Sequence, residues 1–166
     1  MRFGGPKAPY LYRGERLVDL AVGNLREGGC DRVLVVLGAW VGEVDGAEVL
    51  HNPNWQNGLS TSLGVALDEA VNSNADRICV TLVDLPGLTG AAVSKVLADE
   101  SDLIQATYRE SPTHPVVFAR SHWAPLRLSL SGDSGAREYL KRNEKIVAKI
   151  PIDDLSDGQD LDFQPI

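Results

Sequence analysis

The 166-residue chain has little cysteine, few aromatic residues and an excess of acidic over basic side chains. It has 2 cysteines, Cys30 and Cys79, and Cys79 lies in an apolar strand-like segment, so a disulfide-stapled secreted scaffold is excluded. Its 16 basic residues against 23 acidic ones disfavour nucleic-acid binding, which needs clustered Lys and Arg. No apolar run approaches the roughly 18 residues of a membrane span, and the start has no signal-peptide pattern. These shortages predict a cytoplasmic protein that binds neither nucleic acid nor membranes.

What the chain does have is 43% hydrophobic residues, enough for one core, and we expect a single domain over 1–166. Helical and strand-like patterns alternate, joined by short links, which predicts an α/β fold with a mostly parallel sheet. The predicted helices are 16–27, 60–71, one capped by Thr89, 121–130 and 134–142. The predicted strands are 32–38, 48–51, 77–83, 102–107, 115–119 and 145–152.

Ligands of open parallel sheets bind beyond the carboxyl ends of the strands, so polar residues at strand ends are the candidates for a site. Asp84 follows the predicted strand 77–83 and is a candidate Mg²⁺ ligand, although a strand-end Asp can instead make a turn hydrogen bond. Asp160 and Asp162 could supply a second carboxylate, or they could belong to a solvated tail.

Cations and helix ends offer candidate anion sites. Residues 58–62 (Gly-Leu-Ser-Thr-Ser) gather hydroxyls at a helix start, where Ser60 either binds an anion or only caps the helix. Lys7 and Arg2 flank a glycine turn and either contact phosphates or are ordinary surface cations. His114 and Arg137 either contact a substrate or serve the backbone and surface.

Five segments carry a family resemblance. Residues 2–7 read Arg-Phe-Gly-Gly-Pro-Lys, and residues 52–63 read Asn-Pro-Asn-Trp-Gln-Asn-Gly-Leu-Ser-Thr-Ser-Leu. Residues 82–86 read Leu-Val-Asp-Leu-Pro, residues 114–118 His-Pro-Val-Val-Phe, and residues 132–137 Gly-Asp-Ser-Gly-Ala-Arg. In this order and spacing they resemble the MobA-like nucleotidyltransferase family, in its branch of molybdenum cofactor cytidylyltransferases, over essentially the whole chain.

The resemblance implies a three-layer α/β/α fold of the nucleotide-diphospho-sugar transferase type. It implies transfer of CMP from CTP (or a nucleotide from GTP) to the terminal phosphate of the molybdopterin cofactor, with Mg²⁺, and a molybdenum hydroxylase or its maturation factor as a further partner. The implied roles are Lys7 and Arg2 on the triphosphate, Asp84 and Asp162 on Mg²⁺, Asn57, Gly58, Ser60 and Ser62 on the nucleotide, and His114 and Arg137 on the acceptor.

The chain departs from the family pattern in three places. The strand and glycine loop that precede Arg2 in the family are absent, which we interpret as a start codon assigned too late rather than a truncated paralogue. His114 follows Ser-Pro-Thr instead of the family's glycine, and the family's Thr-Pro-Glu-Asp does not follow Asp162. Two alternative functions stay open: an NADPH-dependent reductase of the same branch, and a noncatalytic carrier of the cofactor.

Overall fold

The structure, a computed structural model, describes residues 4–161. Its strands are β1 (Leu11–Tyr12), β2 (Glu15–Arg16), β3 (Leu34–Leu37), β4 (Glu48–His51), β5 (Arg77–Val80), β6 (Leu103–Tyr108), β7 (Ser111–Ala119) and β8 (Ala148–Pro151). Its α-helices are α1 (Leu17–Glu27), α2 (Leu59–Val71), α3 (Gly90–Leu97), α4 (Trp123–Ser129) and α5 (Arg137–Arg142). Short 3₁₀ turns join several of them.

The strands form two sheets and a small hairpin, β1–β2. In one sheet β3 pairs with β4 in parallel, and in the other the order is β5-β7-β6-β8. β6 and β8 are parallel, whereas β7 is antiparallel to both of its neighbours. The expected parallel pairing therefore holds for β3–β4 and β6–β8, and β7 reverses it because a tight hairpin joins it to β6.

Alternating side chains of the larger sheet enter two separate cores. Ile104 and Val117 pack with α1 and α3 on one face, while Leu103 and Phe118 pack with α2, α4 and α5 on the other. All four side chains are fully buried. This period-two alternation builds the expected three layers, helices over sheet over helices.

A slot separates the two sheets. β3 and β5 are end strands, so among the described residues each has one edge without a strand partner. Both strands line the same cavity of about 1180 Å³, which we call the slot. The thiols of Cys30 and Cys79, both free, also line it, and the neighbouring Cys30 together with burial raises the pKa of Cys79.

Two strand boundaries differ from the sequence prediction for identifiable reasons. β5 ends at Val80 rather than at residue 83 because its register would place Pro115, which has no N–H, opposite Thr81. β7 begins at Ser111 rather than at Pro115 because β6 and β7 form a hairpin. Its turn uses Arg109 and Glu110 at φ of 48° and 64°, without the Asn or Gly that signals such a turn in sequence.

Most other elements agree with the prediction to within a few residues. Residues 121–130 and 134–142 contain α4 and α5, but 3₁₀ turns precede both helices. The Thr89 hydroxyl caps α3 as predicted, accepting a hydrogen bond from Ala92 N. None of the helices among residues 4–161 is long and apolar enough to cross a membrane.

Arg120 ties the carboxyl end of α2 to the end of β7. Its guanidinium donates to the carbonyl oxygens of Val71, Ser73 and Ala75 at 2.8–2.9 Å. Its backbone N–H donates to Asp76 O at 2.7 Å, and the guanidinium also stacks over the ring of Trp123. These bonds satisfy carbonyls that the end of a helix leaves unpaired.

Candidate active site

Lys7 and Asp84 meet just beyond the carboxyl end of β5. Lys7 Nζ donates to Asp84 Oδ2 at 2.7 Å, and the two side chains are 24% and 17% exposed. Asp160 lies on the other side of the same lysine, with its Oδ1 3.9 Å from Lys7 Nζ. The structure thus joins the glycine turn at the start of the chain to the strand-end aspartate 77 residues later.

The segment after β8 is packed onto this strand end and is not a solvated tail over its described part. Leu161 N donates to Asp84 O at 2.9 Å, and Leu161 is buried. The hydroxyl of Thr89 donates to Leu155 O, and Asp157 lies directly against Gly87. This packing brings Asp160 to the same lysine that Asp84 binds, so two carboxylates flank Lys7.

Asn52 organises the second candidate segment, residues 52–62. It is 1% exposed, and its amide donates to the hydroxyls of Thr61 and Ser62 at 2.8 and 2.9 Å. Its Oδ1 accepts from Asn54 N, closing the turn that follows β4. Sequence reasoning did not select Asn52 as a site residue, although an Asn directly after a strand is the usual residue for such a turn.

The loop at residues 131–137 closes over the start of α2. Asp133 Oδ1 accepts from Leu59 N at 3.3 Å, so a carboxylate already lies at the positive end of this helix. Ser60 is buried and donates to Ser131 O at 2.9 Å. Of the two alternatives that the sequence left open for Ser60, the structure does not show the helix cap: Gly58 occupies the cap position, and the Ser60 hydroxyl binds the neighbouring loop.

The remaining predicted residues fall into three groups. Ser62, His114 and Arg137 line the slot together with Asp133 and Asp160, so one cavity collects the predicted acceptor side and part of the nucleotide side. Asn57 is exposed, next to Gly58 at the mouth of α2. Arg2 and Asp162 lie outside the described residues.

His114 is held in one protonation state by its surroundings. Its Nδ1 lies 3.1 Å from Val80 O, and because a carbonyl can only accept, Nδ1 carries the proton and Nε2 is left as an acceptor. Burial lowers the pKa of His114, and the hydrogen bond to Val80 and the charge of Asp84 offset this only in part. The imidazole is therefore neutral near pH 7.

This buried imidazole predicts a loss of stability in acid. In the unfolded chain His114 titrates near its usual pKa of about 6.5. Folding lowers this pKa. Below pH 6.5, therefore, the unfolded state binds a proton more readily than the folded state does. We expect the free energy of unfolding to fall as pH drops from about 7.5 to 5.5, with a slope of at most about 1.4 kcal/mol per pH unit from this group.

Urea unfolding at several pH values measures this slope. His114→Gln should flatten the dependence above pH 5.5, whereas His51→Gln, at the exposed last residue of β4, should leave it unchanged. An unchanged slope in His114→Gln would show that other groups cause the acid sensitivity.

The side chains at this site show whether a divalent metal could bind there. Residues 4–161 contain no group of three His, Cys, Asp or Glu side chains close enough to hold a metal ion. Asp84 Oδ1, however, is buried and has no hydrogen-bond partner among the described residues, and a buried oxygen in this state suits a cation. Carboxylate oxygens are also the ligands that Mg²⁺ and Mn²⁺ prefer, so Asp84 fits a divalent metal.

The layers, the strand-end aspartate and the turn after β4 define a nucleotidyltransferase-type α/β fold, and comparison with known proteins agrees. The sequence matches the MobA-like NTP transferase domain over residues 1–146, and the chain belongs to this family. Two solved structures share the fold. One is a homologue of Rv0371c from Mycobacterium sp. strain JC1, with TM-score 0.81 and 24% identity over 98% of this chain and 84% of that one. The other is Rv0371c of Mycobacterium tuberculosis in complex with manganese, with TM-score 0.70 and 21% identity over 90% of this chain and 83% of that one.

A relative in sequence carries a different activity in its name. The nicotine blue oxidoreductase of Paenarthrobacter nicotinovorans is 33% identical over 173 aligned positions, which cover 95% of this chain and 84% of the relative. This chain is therefore similar in sequence to a protein named as an oxidoreductase, although its family model is that of NTP transferases.

Proposed function

We propose that this protein is a divalent-metal-dependent nucleotidyltransferase that transfers CMP from CTP to the terminal phosphate of the molybdopterin cofactor. The observation that carries the proposal is the Lys7–Asp84 pair at the carboxyl end of β5, beside a slot lined by Ser62, His114 and Arg137. A cation and a partly buried carboxylate at one strand end are what a triphosphate and its metal require.

The reaction needs charge neutralisation and alignment more than a covalent intermediate. An oxygen of the acceptor phosphate attacks the α-phosphorus of CTP, the bond between that phosphorus and the bridging oxygen breaks, and pyrophosphate leaves with the electron pair. Lys7 would move from Asp84 to the β- and γ-phosphates as they arrive, because a phosphate offers it more negative charge. Asp84, with Asp160 on the other side of Lys7 and Asp162 as predicted from the sequence, would hold the metal. Such a metal would supply positive charge to neutralise the charge that develops on the leaving group.

The other residues have roles in binding. The turn fixed by Asn52 presents Asn57 and Gly58 to the nucleotide, and Ser62 lies between that turn and the slot. Neutral His114 offers an unprotonated Nε2 to a hydroxyl or N–H of the acceptor, and exposed Arg137 offers a forked donor to its phosphate.

The test is transfer of label from CTP carrying ³²P at the α-phosphate. The purified chain, with Mg²⁺ or Mn²⁺ and molybdopterin cofactor, should give labelled acceptor and an equal amount of pyrophosphate. The same assay with labelled GTP is the matched control for the base, and omission of the acceptor separates transfer from hydrolysis. Transfer from GTP alone would overturn the choice of CTP, and no transfer from either nucleotide would overturn the proposed reaction.

The second candidate is a reductase, favoured by the sequence identity to nicotine blue oxidoreductase. It predicts that the chain oxidises NADPH in the presence of nicotine blue and shows no dependence on CTP or divalent metal. NADPH oxidation without label transfer would favour this candidate over the transferase.

A further inference from the structure

An apolar groove lies on the outer surface of the protein, between α2 and α4. Its volume is about 300 Å³, and its apolar walls are Leu67 and Val71 of α2 and Trp123, Ala124 and Leu128 of α4. We call it the α2–α4 groove. Val71 is 52% exposed and Leu128 is 89% exposed, the largest value for a large hydrophobic residue within residues 4–161. Exposed apolar side chains gathered around one groove indicate an interaction surface.

The two walls of the groove are fixed to each other before any partner binds. The guanidinium of Arg120 donates to the carbonyl oxygen of Val71, at the end of the α2 wall. The same guanidinium stacks over the ring of Trp123, at the start of the α4 wall, with its Cζ 4.9 Å from the ring centroid. A groove held in shape in this way loses little conformational entropy when a partner binds.

Leu128 projects from the rim of the groove because its charged neighbour lies flat. The guanidinium of Arg127 donates to both carboxylate oxygens of Asp68, at 2.8 and 2.9 Å. It lies against Gly64, where a Cβ atom would come within 3.2 Å of Arg127 Cζ. The surface therefore has a projecting apolar side chain and an apolar groove side by side.

The charges at the groove favour a second copy of the chain over a charged partner. The formal charge of the whole chain is −7, so most of its surface repels another copy. At the groove, however, the lining residues include one anion, Asp68, and one cation, Arg127. This balance gives no excess charge that would select a basic or an acidic partner. In a symmetric pair, the cation of each copy can face the anion of the other.

A twofold interface brings the same surface of two copies together, so that surface must contain both a projection and the groove that receives it. We propose that the α2–α4 groove is the interface of a twofold-symmetric dimer of this chain, in which Leu128 of each copy enters the groove of the other. The groove is at the carboxyl end of α2, roughly 18 Å along the 13-residue helix from Gly58. Both candidate active sites would therefore stay open in the dimer.

Sedimentation equilibrium of the full chain over a range of concentrations tests this proposal. The wild-type chain should show a reversible equilibrium between one and two copies. Leu128→Asp should raise the dissociation constant at least about 30-fold, as the loss of an anchor at the centre of an interface does. Ile146→Asp is the matched control, because Ile146 is 58% exposed and does not line the groove, and it should leave the dissociation constant unchanged.

Ala124→Trp is a second variant, which fills the groove without adding charge. It should also weaken the dimer, because Leu128 of the other copy could no longer enter. A monomer at every concentration, or assemblies that keep growing beyond two copies, would overturn the proposal. So would a dimer that Leu128→Asp leaves intact, and a dimer that tolerates Ala124→Trp would overturn the entry of Leu128 into the groove. Ala124 and Leu128 are both exposed, so neither variant disturbs the core, which circular dichroism checks. Sedimentation does not depend on CMP transfer, so the result is independent of the proposed function.

Discussion

Asp84→Asn is expected to lower the rate of CMP transfer by at least about 100-fold, the usual effect of removing one group that stabilises charge in a phosphoryl-transfer site. Asn keeps the shape of the side chain and can still accept a hydrogen bond from Lys7, but it removes the charge that would hold the metal. Because Asp84 Oδ1 has no hydrogen-bond partner among the described residues, little structural bonding is lost. The rate of pyrophosphate release at saturating CTP, over a range of Mn²⁺ concentrations, measures the effect.

The control is Asp154→Asn, which removes an aspartate from a second Lys–Asp pair, Lys95–Asp154, at 3.2 Å. The Asp154 side chain is 71% exposed, against 17% for Asp84, so the Lys95–Asp154 pair contributes little to stability. The variant should keep both the rate of CMP transfer and its dependence on the metal. A rate within threefold of wild type in Asp84→Asn, with the fold intact by circular dichroism, would remove Asp84 from the proposed chemistry.

Gly58→Ala is expected to destabilise the protein by about 3 kcal/mol, which corresponds to a Tm lower by roughly 10 °C, and to weaken CTP binding. Gly58 has φ 105° and ψ 170°, a conformation that is essentially restricted to glycine. A Cβ atom there would lie 2.5 Å from the carbonyl group of Gly132 and 2.6 Å from Asp133 Oδ1. The loop would have to leave the start of α2, and the turn that is predicted to seat the nucleotide would move with it.

Gly132→Ala is the control that separates the two effects of Gly58→Ala: the contact of the new Cβ atom with the loop, and the strain of placing alanine at a positive φ. Gly132 has φ 54°, and a Cβ atom there meets nothing within 4 Å, so this substitution should cost only about 1 kcal/mol. Thermal unfolding followed by circular dichroism and calorimetric titration with CTP compare the two variants. Equal losses of stability would show that the contact between Gly58 and the loop does not matter.

The sequence predicted elements where one local pattern decides them. The amphipathic repeat of α1, the apolar run of β3 and the Thr89 cap each depend on neighbouring residues, and the structure has all three. The reversal of β7 was not predictable in this way. It depends on a hairpin turn at Arg109 and Glu110, residues that carry no turn signal, and on which strand lies beside which.

The candidate site shows the same division. Asp84 was identified because a strand end followed by proline is a local signal, and its pairing with Lys7 was consistent with the predicted roles of both. The bond between Ser60 and Ser131 and the carboxylate of Asp133 at the start of α2 join segments more than 70 residues apart, so no local pattern encodes them. The sequence therefore left open whether Ser60 caps α2, and the structure gives the cap position to Gly58.

The Arg120 guanidinium also limits how the protein can move. A side chain that binds three carbonyls, at the last residue of α2 and in the segment after it, anchors that end of the helix, because displacing it would break several charge-assisted bonds at once. Domain and loop motions take place at segments with few hydrogen bonds, and the carboxyl end of α2 is not such a segment. If the site closes on its substrates, α2 must therefore pivot about its carboxyl end, with the largest displacement at the turn that precedes Gly58.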